Sequence, residues 1–138
     1  MARAGDLSPE EAYALLRDDP DAVLVDIRTR AEWYYVGLPD LSGLGKEVVG
    51  VEWVTYPDFV PNPHFLTDLE ETDVPEDVPV VFLGRMGSRS VAAADAAAAA
   101  GYVKAYSVND GFEGPLDAHS HRGGRAGWKS AGLPWLQS

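Results

Sequence analysis

Residues 78–100 constrain the fold of this chain more than any other stretch. An apolar run ending in Val80-Val81-Phe82-Leu83 is followed by Gly84-Arg85-Met86-Gly87-Ser88-Arg89-Ser90 and then by an alanine-dominated run up to Gly101. Apolar residues without polar alternation predict a strand covered on both faces. Alanine is the best helix former and glycine a common helix terminator, so residues 90–100 predict a helix. The unit is strand, loop, helix. Ala22 to Ile27 is a second nearly continuous apolar run, again predicting a buried strand.

The rest of the chain repeats the alternation. Ser8-Pro9-Glu10-Glu11 is a helix start, with Ser8 as cap and Pro9 in the first turn. Thr29-Arg30-Ala31-Glu32 is a capping pattern that predicts a short helix through Trp33 and Tyr34. Residues 37–47 predict a loop, 48–54 a strand that ends before Pro57, 64–71 a helix and 104–108 a last strand. The Gly-rich remainder, 109–138, has room for a short helix around Trp128. Strands alternating with helices predict an α/β fold with a parallel sheet between two helical layers. At 138 residues, without an internal repeat, the chain reads as one domain over 1–138.

Ligands of such sheets bind off the carboxyl ends of the strands. Three predicted strand ends lie there: Asp26-Ile27-Arg28, Gly84 and Asn109-Asp110-Gly111. They are expected to surround one pocket, with Asp26, Arg28, Asn109, Asp110 and Gly111 at its rim. The loop Arg85, Met86, Gly87, Ser88, Arg89, Ser90 brings backbone N–H groups together ahead of a helix N-terminus. Such a point favours an anion.

Composition narrows the chemistry. The chain has no cysteine, which removes disulfides, thiolate metal sites and thiol catalysis. Its net charge of −11 is uneven: residues 1–83 carry 18 acidic and 5 basic side chains, residues 84–138 carry 4 and 6. The positive half is the one with the loop. No basic stripe could neutralise several phosphates, so nucleic acid is not an expected partner. The longest apolar stretch is the alanine run 96–100, far short of a membrane span, and the N-terminus lacks a signal-peptide pattern. The expected location is the cytoplasm. His119 and His121 are too few to hold a metal, so neither metal nor cofactor is expected. Trp33, Trp53, Trp128 and Trp135 read as packing residues, with Trp128 or Trp135 at the pocket rim.

Val80-Val81-Phe82-Leu83-Gly84-Arg85-Met86-Gly87-Ser88-Arg89-Ser90 resembles the active-site loop of rhodanese-like sulfurtransferases, Cys-Arg-x-Gly-x-Arg-Ser. Arg85, Gly87, Arg89 and Ser90 match; Gly84 stands where that family has its nucleophilic cysteine. Leu24-Val25-Asp26-Ile27-Arg28 through Trp33, Gly111-Phe112-Glu113-Gly114, and the ending Gly127-Trp128-Lys129 with Gly132-Leu133-Pro134-Trp135 are similar to other family segments, the ending to a bacterial single-domain branch. Residues 36–41, Val-Gly-Leu-Pro-Asp-Leu, depart from the family's Gly-His-Ile-x-Gly-Ala motif. The resemblance implies a central parallel sheet of about five strands with helices on both faces. It also implies a loop sized for sulfur, since the related phosphatases have one more residue between the nucleophile and the last arginine.

In that family a cysteine takes sulfur from a donor such as thiosulfate and holds it as a persulfide. Arginines and a helix N-terminus stabilise its thiolate. Here the same surroundings lack the sulfur atom. Ser88 is the nearest hydroxyl, but nothing in the sequence activates it. Three readings remain open. One is an inactive homologue that binds a small oxyanion, a sulfur donor or acceptor, or a protein partner. Another is a sulfurtransferase whose cysteine at position 84 has been lost by substitution. The third is a structural protein-interaction domain using the acidic face. Apart from any family, a glycine after a strand ordinarily just relieves crowding at a turn.

Overall fold

The computed structural model describes residues 3–55, 58, 60–85, 87–114 and 127–136. Its centre is a parallel sheet of five strands: β1 (Gly5–Leu7), β2 (Val23–Asp26), β4 (Val49–Gly50), β7 (Val80–Leu83) and β8 (Ala105–Val108), in the order β1-β8-β7-β2-β4. Between and beside them run α1 (Pro9–Asp18), α2 (Arg30–Tyr35), α3 (Phe65–Glu71) and α4 (Ser88–Ala99).

The predicted β7 is the middle strand and is buried along its whole length. Its side chains alternate between two cores, as the period of two requires. Val80 and Phe82 join Val25, Ile27, Phe65, Leu69 and the alanines of α4. Val81 and Leu83 join Ala12, Leu16, Leu24, Val108, Phe112 and Trp128 on the other face. The sheet is therefore covered on both sides. Ala93, Ala94, Ala97 and Ala98 are the buried residues of α4's middle and end, and side chains this small let the helix lie close against β7 and β8. Both capping boxes predicted from sequence are formed: Ser8 with Glu11, and Thr29 with Glu32.

Several local expectations are corrected. The sequence reading missed β1, a three-residue strand whose sheet neighbour among the described residues is β8. The strand expected over 48–54 is divided: only Val49 and Gly50 pair with β2. Trp33 of α2 lies against Gly50 so closely that a Cβ there would be 2.8 Å from its ring. Val54–Thr55 (β5) then turns away to pair with Val60–Pro61 (β6). Within the expected loop 37–47, Leu38–Pro39 (β3) pairs antiparallel with Trp135–Leu136 (β9), followed by a 3₁₀ turn at Ser42–Leu44. Residues 127–132 form a bend and turns where the sequence left room for a short helix. Trp128 anchors them: it is fully buried, and its indole N–H donates to the Pro134 carbonyl at 2.8 Å. Among the described residues no helix is long and apolar enough to cross a membrane.

Candidate functional site

Gly84 follows β7 directly, and its surroundings fix the loop from both sides. Three consecutive carbonyls are held: Leu83 O accepts from Ile27 N at 2.9 Å, Gly84 O from Phe112 N at 2.8 Å, and Arg85 O from Glu113 N at 2.9 Å. Gly111 makes this possible. Its φ is +60°, and a Cβ there would stand 2.5 Å from Gly84 O and 2.6 Å from the Arg85 carbonyl carbon. Only glycine fits both that backbone conformation and that approach.

Gly84 itself has no such need. Its φ is not positive, and a Cβ placed on it would make ordinary contacts: 3.4 Å to Ser90 N, 3.5 Å to Ile27 Cδ1 and 3.7 Å to Arg89 Cβ. A side chain at 84 would start at the N-terminus of α4. That helix begins two residues earlier than expected. Its cap is Gly87, which offers no side-chain hydrogen bond. Ser90 is therefore not the first helical residue. It is the third helical residue, and its hydroxyl donates to Gly87 O at 2.9 Å and lies 2.8 Å from the Ser107 hydroxyl. The N–H groups of Ser88, Arg89 and Ser90 occupy the first turn, where a helix has no carbonyl to offer them. Among the described residues none of them donates to another backbone group.

The loop arginines are both paired. Arg89 makes two hydrogen bonds to Glu32, Nη1–Oε1 at 3.1 Å and Nη2–Oε2 at 3.0 Å. Arg85 Nε lies 3.4 Å from Glu113 Oε2 and is the more exposed of the two. Burial pushes the Glu32 carboxyl up, but Arg89's hydrogen bonds and charge, helped by the Thr29 N–H, outweigh it and hold it below its ordinary value.

Asp26 and Arg28 form a third pair, fully buried. Arg28 Nη2 is 2.7 Å from Asp26 Oδ2 and 2.7 Å from the Gly37 carbonyl, and its guanidinium carbon sits 4.1 Å from the centroid of the Phe112 ring. Among the described residues Arg28 Nη1 has no hydrogen-bond partner. With no exposure, neither residue lies at an exposed rim. Asn109 and Asp110 are exposed and line a hollow of about 380 Å³ with Ser8, Pro9 and Glu10. The backbone of Asp110 passes close to the loop, since a Cβ on Gly87 would be 3.2 Å from Asp110 N. Met86 and the two histidines His119 and His121 lie outside the described residues. No group of three metal-ligating side chains occurs among the described residues.

Sequence reasoning missed Glu32 and Glu113 as partners of the loop arginines. Glu32 was legible only as a helix-capping residue; its pairing with Arg89 spans 57 positions. Lys129 lies in the turn after Gly127, beside Phe112 and Trp135. Its ammonium donates to Val36 O at 3.2 Å and stands 4.0 Å from the Trp135 ring centroid and 5.3 Å from that of Phe112.

The family model of the STR4 middle domain matches residues 4–138. The chain belongs to the STR4 middle-domain family. It is 37% identical over 125 residues to an uncharacterized protein of Rickettsia conorii, covering 91% of each chain. It is 33% identical over 131 residues to the chloroplastic rhodanese-like domain-containing protein 4 of Arabidopsis thaliana; that match takes in 94% of this chain and 25% of the plant protein. Among solved structures, Rv0390 from M. tuberculosis superposes with a TM-score of 0.93 at 52% identity, covering 99% of this chain and 100% of that one. The polysulfide-sulfur transferase homodimer of Wolinella succinogenes superposes at 0.65 with 22% identity, over 99% of this chain and 80% of that one, a likeness of fold. As a member of the STR4 middle-domain family, the chain has a rhodanese-like fold.

Proposed function

We propose that this STR4 middle domain is a rhodanese-like domain without its nucleophile, which holds a small oxyanion or a sulfur-bearing group at residues 84–90. Gly84 takes the position of the sulfurtransferase cysteine, and no persulfide forms on the chain. The observation that carries this reading is the space at Gly84. A Cβ fits there in ordinary contact beside the uncapped start of α4, yet the chain has no cysteine at all. A helix start with free N–H groups attracts an anion whether or not a sulfur is attached to the protein. Asp26 and Arg28 form a buried ion pair away from any exposed rim, and Gly111 lets the neighbouring strand end lie against the loop. Asn109 and Asp110 belong to the surrounding rim. The expected place of action is the cytoplasm.

The same space favours a second reading, in which the ancestral activity was sulfur transfer and a cysteine at 84 restores it. Thiosulfate:cyanide sulfurtransferase assays on the wild-type chain and on Gly84→Cys separate the two. The inactive-binder reading expects no turnover by the wild type above a heat-denatured control. Turnover by purified wild-type protein would reject it. Turnover by Gly84→Cys alone would support a lost nucleophile in an otherwise intact site.

A further inference from the structure

The turn that holds the loop is itself held from the far end of the chain. Phe112 N–H and Glu113 N–H fasten the carbonyls of Gly84 and Arg85. One layer out, Trp128 N–H donates to Gly111 O at 2.9 Å and Lys129 N–H to Phe112 O at 3.2 Å. A layer further, the Pro134 carbonyl accepts from the Trp128 indole at 2.8 Å and from Asp40 N–H at 2.9 Å, and β9 pairs with β3. Residues 127–136 therefore form a strap between the turn at 111–113 and the segment 37–40.

Main chain meets main chain at both ends of the strap. Gly127 has a φ of +98°, and a Cβ there would stand 2.9 Å from Gly114 N and 3.0 Å from Gly111 O. Gly37 has a φ of +118°, and a Cβ there would stand 2.8 Å from Leu136 O and 2.9 Å from the Trp135 ring. Contacts of this kind have no side-chain rotamers to take up a displacement, so movement of one layer is passed to the next. The two ends of the strap differ in strength. Trp128 is fully buried, whereas Trp135 and Leu136 are 41% and 47% exposed. Their strand is two residues long and belongs to a two-stranded sheet apart from the main one. Short, exposed pairings lie at the low end of a protein's local stabilities.

We infer that residues 127–136 are a conformational latch on the loop: unpairing of β9 from β3 and release of the Gly84 and Arg85 carbonyls are one opening event, which leaves the main sheet folded. In the closed form the turn at 111–113 is clamped between the strap and the loop. In the open form the turn leaves the loop together with the strap. The latch acts on the loop's backbone and does not depend on what residues 84–90 bind.

The test is amide hydrogen exchange followed residue by residue. In wild-type protein the amides of Asp40, Trp128, Lys129, Phe112 and Glu113 should share one opening constant. It should exceed that of Val23 and Val80, whose N–H groups bond to Pro79 O and Lys104 O at the start of the central strands. Trp135→Ala removes a ring that stands edge-on to Phe112, with centroids 6.2 Å apart, and lies against Gly37. It should accelerate the first group as a set, by about five- to thirtyfold, and leave Val23 and Val80 unchanged. Faster exchange at Asp40 with unchanged rates at Phe112 and Glu113 would overturn the inference. So would equal acceleration at every one of these amides, which is the mark of global unfolding. If Trp135→Ala does not fold, wild-type protein in sub-denaturing urea decides. The first group should then share one urea dependence, shallower than that of Val23 and Val80, because less surface opens; different urea dependences for Asp40 and Phe112 would overturn the inference.

Discussion

Gly84→Cys is the sharpest perturbation of this protein, because the structure specifies both its steric and its electrostatic outcome. The sterics are mild. The added Cβ meets Ser90 N at 3.4 Å, Ile27 Cδ1 at 3.5 Å and Arg89 Cβ at 3.7 Å, and the backbone has no positive φ to strain a side chain. Stability should change by less than about 1 kcal/mol, as for substitutions that create neither clash nor cavity. The electrostatics are larger. The uncapped N-terminus of α4 is equivalent to about half a positive charge. At about 4 Å and an effective dielectric constant of about 20, that stabilises a thiolate by about 2 kcal/mol. This corresponds to roughly 1.5 pK units, moving the thiol from about 8.5 to about 7. Arg85 and Arg89 add little, because Glu113 and Glu32 offset them. The assay is the pH dependence of iodoacetamide alkylation, clean because the variant has a single thiol. An apparent pKa at or above 8.5 would refute the reasoning and show that the helix start does not act on an atom at position 84.

Gly111→Ala should be far more damaging than Gly84→Ala, because its Cβ would press to 2.5 Å from Gly84 O with φ at +60°. A loss above about 2 kcal/mol for the first and below about 1 for the second is expected in urea unfolding; equal losses would contradict the geometry. Glu32 makes stability depend on acid. Its folded pKa lies below its unfolded value, so its contribution is complete above the ordinary carboxylate range and is lost as pH falls through the depressed folded value. Glu32→Gln should flatten that acid limb of the stability curve and, by freeing Arg89, tighten sulfate binding at neutral pH; an unchanged acid limb would argue against the Glu32–Arg89 pair.

Much of the fold was legible in the sequence because its signals are local. Helix caps at Ser8 and Thr29 depend on residues three apart, and both capping boxes formed. The continuous apolar runs of β2 and β7 can only be buried on both faces, which leads to a parallel sheet between helical layers. The loop of Gly84 to Ser90, lying between a strand end and a helix start, was also visible in the order of residue types.

Other features depended on partners distant in the chain. β1 has three residues and an unremarkable pattern; it is a strand because β8 is its neighbour. Leu38–Pro39 pairs with Trp135–Leu136 across almost a hundred residues, a register no local pattern encodes. The pattern predicts a helix from Ser90, yet the helix starts at Ser88, and the Ser90 hydroxyl turns to Gly87 O and Ser107. The electrostatic character of the site was the least legible feature of all. Sequence counts two arginines in the loop and suggests a strongly positive cradle. Tertiary packing brings Glu32 and Glu113 against them. The sequence determines which charges the chain carries; which of them cancel is decided by Coulomb interactions, which depend on distance in space and not along the chain.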